Sequence, residues 1–139
     1  MKFSIIAAVD RNNGLGCATF NSDGLYQSGT IPWSNKEDLL FFRQTTLNST
    51  IIMGRHTWES LPRKLDHRTH IVVTSRAIPD IETSTSLYGA LQLAGTLNQP
   101  IFVIGGAQLF LEALTIYWHM IDTIYLSRIP GDYNCNVFF

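Results

Sequence analysis

Ile101-Phe-Val-Ile-Gly105-Gly106-Ala-Gln108 decides how this chain folds: four apolar residues run into two glycines, and an apolar-periodic segment follows through about Leu114. A short apolar run bounded by glycine reads as a buried strand, and the periodic segment after it reads as a helix. Ile51-Ile-Met-Gly54-Arg-His-Thr-Trp58 repeats the design. In parallel α/β sheets ligands settle at the carboxyl ends of the strands, where unpaired helix N–H groups attract phosphate. Glycine lets ligand atoms come close to the backbone. One such corner could equally serve tight strand–helix packing. Two corners, with Arg55 at one of them, fit a ligand carrying several phosphates, and a dinucleotide is the natural candidate.

Working outward, short apolar runs alternate with helical patterns. Phe3–Val9 reads as a buried strand, broken by Asn12-Asn13-Gly14-Leu15-Gly16, and Cys17–Thr30 reads as a polar loop. Ser34–Leu47 is a capped helix, Thr50–Met53 a strand and Arg55–Leu61 a short helix stopped before Pro62. His70–Thr74 is a strand, Ile81–Thr83 a brief edge strand, and Ser86–Gly95 a helix capped by Thr85 or Ser86. Ile121–Ile129 is the last strand, and Pro130-Gly131-Asp132 breaks it. Strand–helix alternation with runs apolar on both sides predicts a single doubly wound α/β domain over residues 1–139, a mostly parallel sheet flanked by helices.

Composition bounds the function. Hydrophobic residues make up 45% and charged residues 15%, as in a soluble globular domain. Ten basic residues against eleven acidic ones argue against a broad nucleic-acid surface or a polybasic membrane patch. A small anion pocket needs only a few cations and backbone amides. Cys17 and Cys135 have neither metal-site spacing nor the density of a disulfide scaffold, so they read as free thiols of a cytoplasmic protein. No run approaches a membrane span, and the apolar start ends at Asp10-Arg11 without a signal-peptide cleavage pattern.

The segment Ile31-Pro-Trp-Ser-Asn-Lys-Glu-Asp38-Leu-Leu-Phe-Phe-Arg43 places a carboxylate on an apolar helical face. Ser34 with Glu37 forms a capping-box pattern, so the helix begins near Asn35. Asp38, Leu39, Phe42 and Thr46 then share one side. Burial there favours the protonated acid, which suits proton-transfer chemistry. Taken alone, Asp38 could equally do no more than complement the helix N-terminus. Arg55 and Arg76 follow strands that could be neighbours, although a solvated surface charge is the commoner outcome for either one. There is no Gly-x-Gly-x-x-Gly fingerprint, so an ordinary Rossmann site is not supported.

The chain resembles dihydrofolate reductases. The matching segments are Ile5–Arg11 with Gly14-Leu-Gly16, Ile31-Pro-Trp through Asp38-Leu, Ile52–Ser60, Ile71–Arg76, Phe102–Gly106, and Tyr125-Leu with Gly131-Asp132, in family order. The combination of Pro32-Trp33, Asp38, Met53-Gly54-Arg55 and Ile104-Gly105-Gly106 is specific. The resemblance implies NADPH-dependent reduction of 7,8-dihydrofolate to tetrahydrofolate. By position, it makes Asp38 the carboxylate that holds the pterin and favours protonation at N5, with Trp33 anchoring a water beside it. Ala8, Leu39 and Phe42 match the pterin pocket, and Ser127 carries a hydroxyl for Asp38. Leu65 lines the aminobenzoyl part, and Arg68 matches the partner of the substrate's α-carboxylate. Arg55, His56, Thr57, Ser75 and Arg76 match the groups around the cofactor's 2′-phosphate and pyrophosphate. Gly54, Gly105, Gly106, Ala107 and Gln108 match the phosphate corners, and Leu15 belongs to the cofactor set. Ile104 and Phe110 would border pterin and nicotinamide.

Three departures accompany the resemblance. Cys17–Thr30 lengthens the loop expected to close over the nicotinamide, with Ile31 at its apolar tip. Phe110 stands where many members carry tyrosine and Ser127 where a threonine stands, while Asn136 and Val137 replace residues that usually hold the mobile loop. The sequence as given ends before the closing antiparallel hairpin of the family. The expectation is that a partner or a swapped second copy completes the sheet edge, that the tail has adapted, or that this chain is a fragment. Two other classes fit parts of the pattern: a weak or inactive ligand-binding relative, and the related reductase of a pyrimidine sugar. Pro32-Trp33, Asp38 and Arg68 point to folate.

Overall fold

The computed structural model describes residues 1–20, 26–30, 36–61, 63–129 and 137–138, with side chains described for 1–14, 37–61 and 63–129. Strands β1 (Phe3–Val9), β4 (Thr50–Gly54), β5 (Thr69–Val73), β6 (Glu82–Ser84), β7 (Ile101–Gly105) and β8 (Ile121–Arg128) form one sheet in the order β6-β5-β4-β7-β1-β8. Every pairing in it is parallel, as the doubly apolar runs predict. The brief edge strand near residue 82 is present, at one margin of the sheet.

Strand periodicity sorts the core into two layers. Ile5, Ile52, Ile71 and Val103 face one side, with Leu87, Ala90, Leu91 and Ala94 of α3 (Leu87–Gly95) and Leu109, Phe110 and Ala113 of α4 (Ala107–Thr115). Their chain neighbours Ile6, Ile51, Val72 and Phe102 face the other side. There Phe42 of α1 (Lys36–Thr46) and Trp58 of α2 (Arg55–Ser60) cover them. Ser86 rather than Thr85 caps α3, its hydroxyl accepting from Gly89 N–H at 3.0 Å. A short 3₁₀ turn, Trp118–Met120, leads into β8. No helix among the described residues is long and apolar enough to cross a membrane.

One expectation is overturned. The stretch read as a polar loop carries β2 (Gly14–Phe20) and β3 (Tyr26–Thr30), an antiparallel pair running from Cys17↔Thr30 to Phe20↔Tyr26. β9 (Val137–Phe138) adds to the other side of β2 against Gly14 and Gly16, completing a small second sheet. Glycines and polar residues masked the period-two signal, and backbone pairing supplies what the side chains do not advertise. Asp10 sets the entry. Its buried Oδ1 accepts from the N–H groups of Asn12 (2.9 Å) and Gly14 (2.7 Å), and Asn13 takes φ 64° between them.

Candidate functional site

The two glycine corners are neighbours. β4 pairs directly with β7, from Thr50↔Ile101 to Met53↔Gly105. From β4 the chain leaves through α2 toward β5; from β7 it leaves through α4 toward β8, beyond β1. The two helices pack on opposite faces of the sheet, Trp58 on one side and Leu109, Phe110 and Ala113 on the other. Adjacent strands whose helices diverge in this way open a crevice at their carboxyl ends, the usual ligand position of open α/β sheets.

The glycines there differ in what they require. Gly105, at φ 138°, occupies backbone that L side chains avoid, and it precedes a cis peptide to Gly106. Gly54 (φ −76°, ψ 166°) and Gly106 (φ −94°, ψ −152°) are extended. A methyl group at Gly54 would lie 3.9 Å from Gly105 O and Gly106 N, and one at Gly106 would lie 3.5 Å from Thr57 Oγ1. Both are ordinary contacts, so neither backbone nor packing demands glycine at 54 or 106. What a bare backbone leaves at these points is room for close approach from outside.

A second surface lies on the α1 side of the same sheet. Ala8 and Ser127 are register partners on β1 and β8. By strand alternation Ala8 shares the face of Ile6, Ile104 that of Phe102, and Ser127 that of Tyr125. Phe42 and Leu65 pack against this layer and stay partly accessible. Asp38 sits half-buried in the first turn of α1. The expected burial of this helical face is met only in part. Thr46 is fully buried and Phe42 half-buried, but Leu39 is 60% exposed. Leu39 lies about 100° around the helix from Asp38, at the margin of the stripe, and Thr46 gains its cover from Arg68 at the helix's other end.

Arg68 is held tightly. Its Nε donates to Asp66 O (2.8 Å), one terminal nitrogen to Thr46 Oγ1 (3.2 Å) and the other to Asp66 Oδ1 (3.2 Å). The Thr46 hydroxyl in turn donates to Phe42 O at 2.7 Å, tying the guanidinium to α1. These bonds engage Nε and both terminal nitrogens, and the Arg68 side chain is 2% exposed. Asp66 also takes both terminal nitrogens of Arg43 at 2.8 and 3.3 Å. The Arg43 hydrogen bond leads the causes that hold Asp66 down at about 2. A cleft of about 470 Å³ opens here, lined by Asn48, Lys64, Leu65, Asp66, His67, Arg68, Thr69 and Gln99.

This geometry meets a family match over nearly the whole chain. A family model described as dihydrofolate reductase matches residues 2–139. The chain belongs to the dihydrofolate reductase family. The dihydrofolate reductase of Buchnera aphidicola subsp. Acyrthosiphon pisum is 35% identical over 142 aligned residues, covering 100% of this chain and 79% of that protein. Dihydrofolate reductase type 9 of Escherichia coli is 35% identical, covering 91% of this chain and 69% of its own length. The bifunctional dihydrofolate reductase-thymidylate synthase of Paramecium tetraurelia is 31% identical over 98% of this chain, which spans 28% of that longer protein.

Set against the family pattern, the remaining positions divide. β5 lies beside β4 in register Gly54↔Val73, so Ser75 and Arg76 follow the same sheet edge as Arg55. All three reach solvent, as do His56 and Gln108, and Arg55 pairs with Glu59 at 3.3 Å. Phe110 departs from expectation: it is 3% exposed and lies in the α4 layer, across the sheet from Ile104, with its ring 3.8 Å from where a Gly105 methyl would be. Helical periodicity turns position 110 into the core while the strand turns Ile104 to the other face, so this phenylalanine underlies the glycine corner. Trp33, Ile31, Ser34 and Asn136 lie outside the described residues, as do the side chains of Leu15 and Val137.

Three contributions escaped the sequence reading, which marked Thr46 only as a residue of the Asp38 face. Asp66 and Thr46 position Arg68, and only the meeting of α1 with the segment before β5 reveals them. His70 is the third. Its buried ring accepts from Leu65 N–H at Nε2 (3.1 Å), lies 3.2 Å from Arg68 O through Nδ1, and meets Trp58 edge-on. Burial, ahead of the nearby cations Lys64 and Arg68, lowers its pKa below the usual 6.5. A signal existed: histidine inside an apolar strand run needs partners for both ring nitrogens.

Proposed function

We propose that this chain, acting as a single domain, reduces 7,8-dihydrofolate to tetrahydrofolate with NADPH. The observation that carries the reading is the crevice between β4 and β7, floored by Gly54 and Gly106, whose own packing does not require glycine. A cradle of bare backbone with Arg55 and Arg76 along one sheet edge fits a dinucleotide carrying an additional phosphate. In this reading Gly54, Gly105, Gly106, Ala107, Gln108 and Thr57 hold the pyrophosphate side. Arg55, His56, Ser75 and Arg76 hold the 2′-phosphate, and Leu15 lies toward the nicotinamide. When bound, NADPH supplies the hydride that goes to C6 of the pterin.

The chain's own residues do the rest. Asp38 accepts a forked hydrogen bond from the pterin's amino and ring N–H groups, fixing the ring and favouring a proton at N5. Trp33 holds a water beside it, and Ser127 offers a hydroxyl on the same face. Ala8, Ile104 and Phe42 form a flat apolar wall for the pterin, with Leu39 at its margin. Phe110 supports the glycine corner from below. Leu65 lies along the aminobenzoyl group, and Arg68 pairs with the substrate's α-carboxylate. A cytoplasmic location follows from the free-thiol reading of the two cysteines.

The test is spectrophotometric. Purified chain should oxidise NADPH only when dihydrofolate is added, and much more slowly with NADH. A folded sample that binds NADPH yet shows no dihydrofolate-dependent oxidation would contradict the reading.

A further inference from the structure

In the proposed function Leu65 and Arg68 hold the tail of the substrate, and one buried ring fastens the backbone that carries them. Residues 65–68 belong to no strand or helix; they lead into β5 through a turn at Asp66 and His67, where His67 takes φ 55°. His70 follows on β5. Its register partner on β4 is Ile51, so the ring enters the layer that Ile51 and Val72 share with Trp58. His70 is 3% exposed there. From this layer the ring reaches back to both ends of the turn. Leu65 N–H donates to Nε2 at 3.1 Å, and Nδ1 stands 3.2 Å from Arg68 O.

These two contacts fix the protonation of the ring. A nitrogen that accepts from an amide carries no proton, so the ring proton sits on Nδ1 and is donated to Arg68 O. The other tautomer would set N–H against N–H at Leu65 and acceptor against acceptor at Arg68. The charged ring would keep the bond to Arg68 O but oppose a donor to Leu65 N–H, and burial disfavours it further. The neutral Nδ1–H form satisfies both ends of the turn. Two further backbone bonds, Asn48 N–H to His67 O at 2.8 Å and Thr69 N–H to Ser49 O at 3.0 Å, tie the same segment to the entry of β4. Neither involves Leu65, whereas the ring bonds to Leu65 and Arg68 together.

We propose that His70, as the neutral Nδ1–H tautomer, is a positioning residue for the substrate's tail: it sets Leu65 and Arg68 at the spacing that an aminobenzoyl group ending in an α-carboxylate requires, and so favours substrates that carry this tail. The proposal rests on the folate reading of the site. Its test compares dihydrofolate with a 7,8-dihydropterin that lacks the tail. His70→Phe keeps the ring's bulk and loses both bonds. It should raise KM for dihydrofolate about tenfold, with kcat, and kcat/KM for the tail-less pterin, changed less than about threefold. His70→Gln keeps an acceptor near Nε2 and His70→Asn a donor near Nδ1, so each should fall between the parent and His70→Phe. These two carry the same comparison if circular dichroism shows His70→Phe unfolded. Because the ring acts through Arg68, adding His70→Phe to Arg68→Gln should raise KM less than about threefold further. Nitrogen NMR of the parent should show Nδ1 protonated and Nε2 bare. Equal losses on both substrates, a full tenfold effect in the Arg68→Gln background, or the opposite tautomer would overturn the proposal. A parent that turns over no dihydrofolate would instead overturn the folate reading, and this inference with it.

Discussion

Gly106 and His70 show two ways in which one residue shapes this site. Gly106 has ordinary extended backbone and room for a methyl group, so Gly106→Ala should leave the thermal transition within about 0.5 kcal/mol of the parent. In the proposed function the same methyl would stand where a phosphate approaches, so calorimetric affinity for NADPH should fall at least about tenfold. Unchanged NADPH affinity would remove the glycine floor from the account. His70 is neutral in the fold because burial lowers its pKa, whereas an unfolded histidine titrates near 6.5. Below that value the unfolded chain binds the extra proton. This contribution is therefore complete above about pH 6.5 and is lost as pH falls toward the lowered folded value. Denaturant unfolding of the parent between about pH 5 and 7 should show stability rising with pH, and His70→Gln should flatten that slope.

At the scale of elements, caps and turns set the geometry that the strands display. The Ser86 cap on α3 should contribute about 1 kcal/mol, read as a lower unfolding midpoint in Ser86→Ala with activity retained. Asp10→Ala should do more than a surface change. It removes the acceptor for two backbone N–H groups at the entry to β2, so hydrogen exchange at Asn12 and Gly14 should quicken while the large sheet stays protected. The parallel strands and their helices were legible because long apolar runs and 3.6-residue patterns report burial directly. β2, β3 and β9 were not, since Gly14-Leu-Gly-Cys-Ala-Thr-Phe20 offers small residues in place of alternation. The α1 face was half legible. Its apolar spacing marks Phe42 and Thr46, yet spacing cannot say where the sheet ends beneath Leu39.

For the whole molecule, the order β6-β5-β4-β7-β1-β8 is what turns two modest motifs into one site. The sequence showed each glycine corner, but their adjacency depends on β7 entering between β4 and β1, a long-range pairing that no local pattern encodes. The knot of Asp66, Arg68 and Thr46 was hidden for the same reason, since its members come from distant segments. The β4–β7 crevice and the surface carrying Ala8, Ile104 and Ser127 lie at the same end of the sheet, one on the β4–β7 boundary and the other on the α1 face. In the proposed reaction, transfer between two ligands held there needs a group that favours a proton on the acceptor, and Asp38 is the proposed group. The most direct measurement is the dihydrofolate-dependent rate of NADPH oxidation by Asp38→Asn across pH. The variant should be slower by at least about a hundredfold at neutral pH and should recover as acid solvent supplies the proton. A rate close to the parent's at neutral pH would contradict the account.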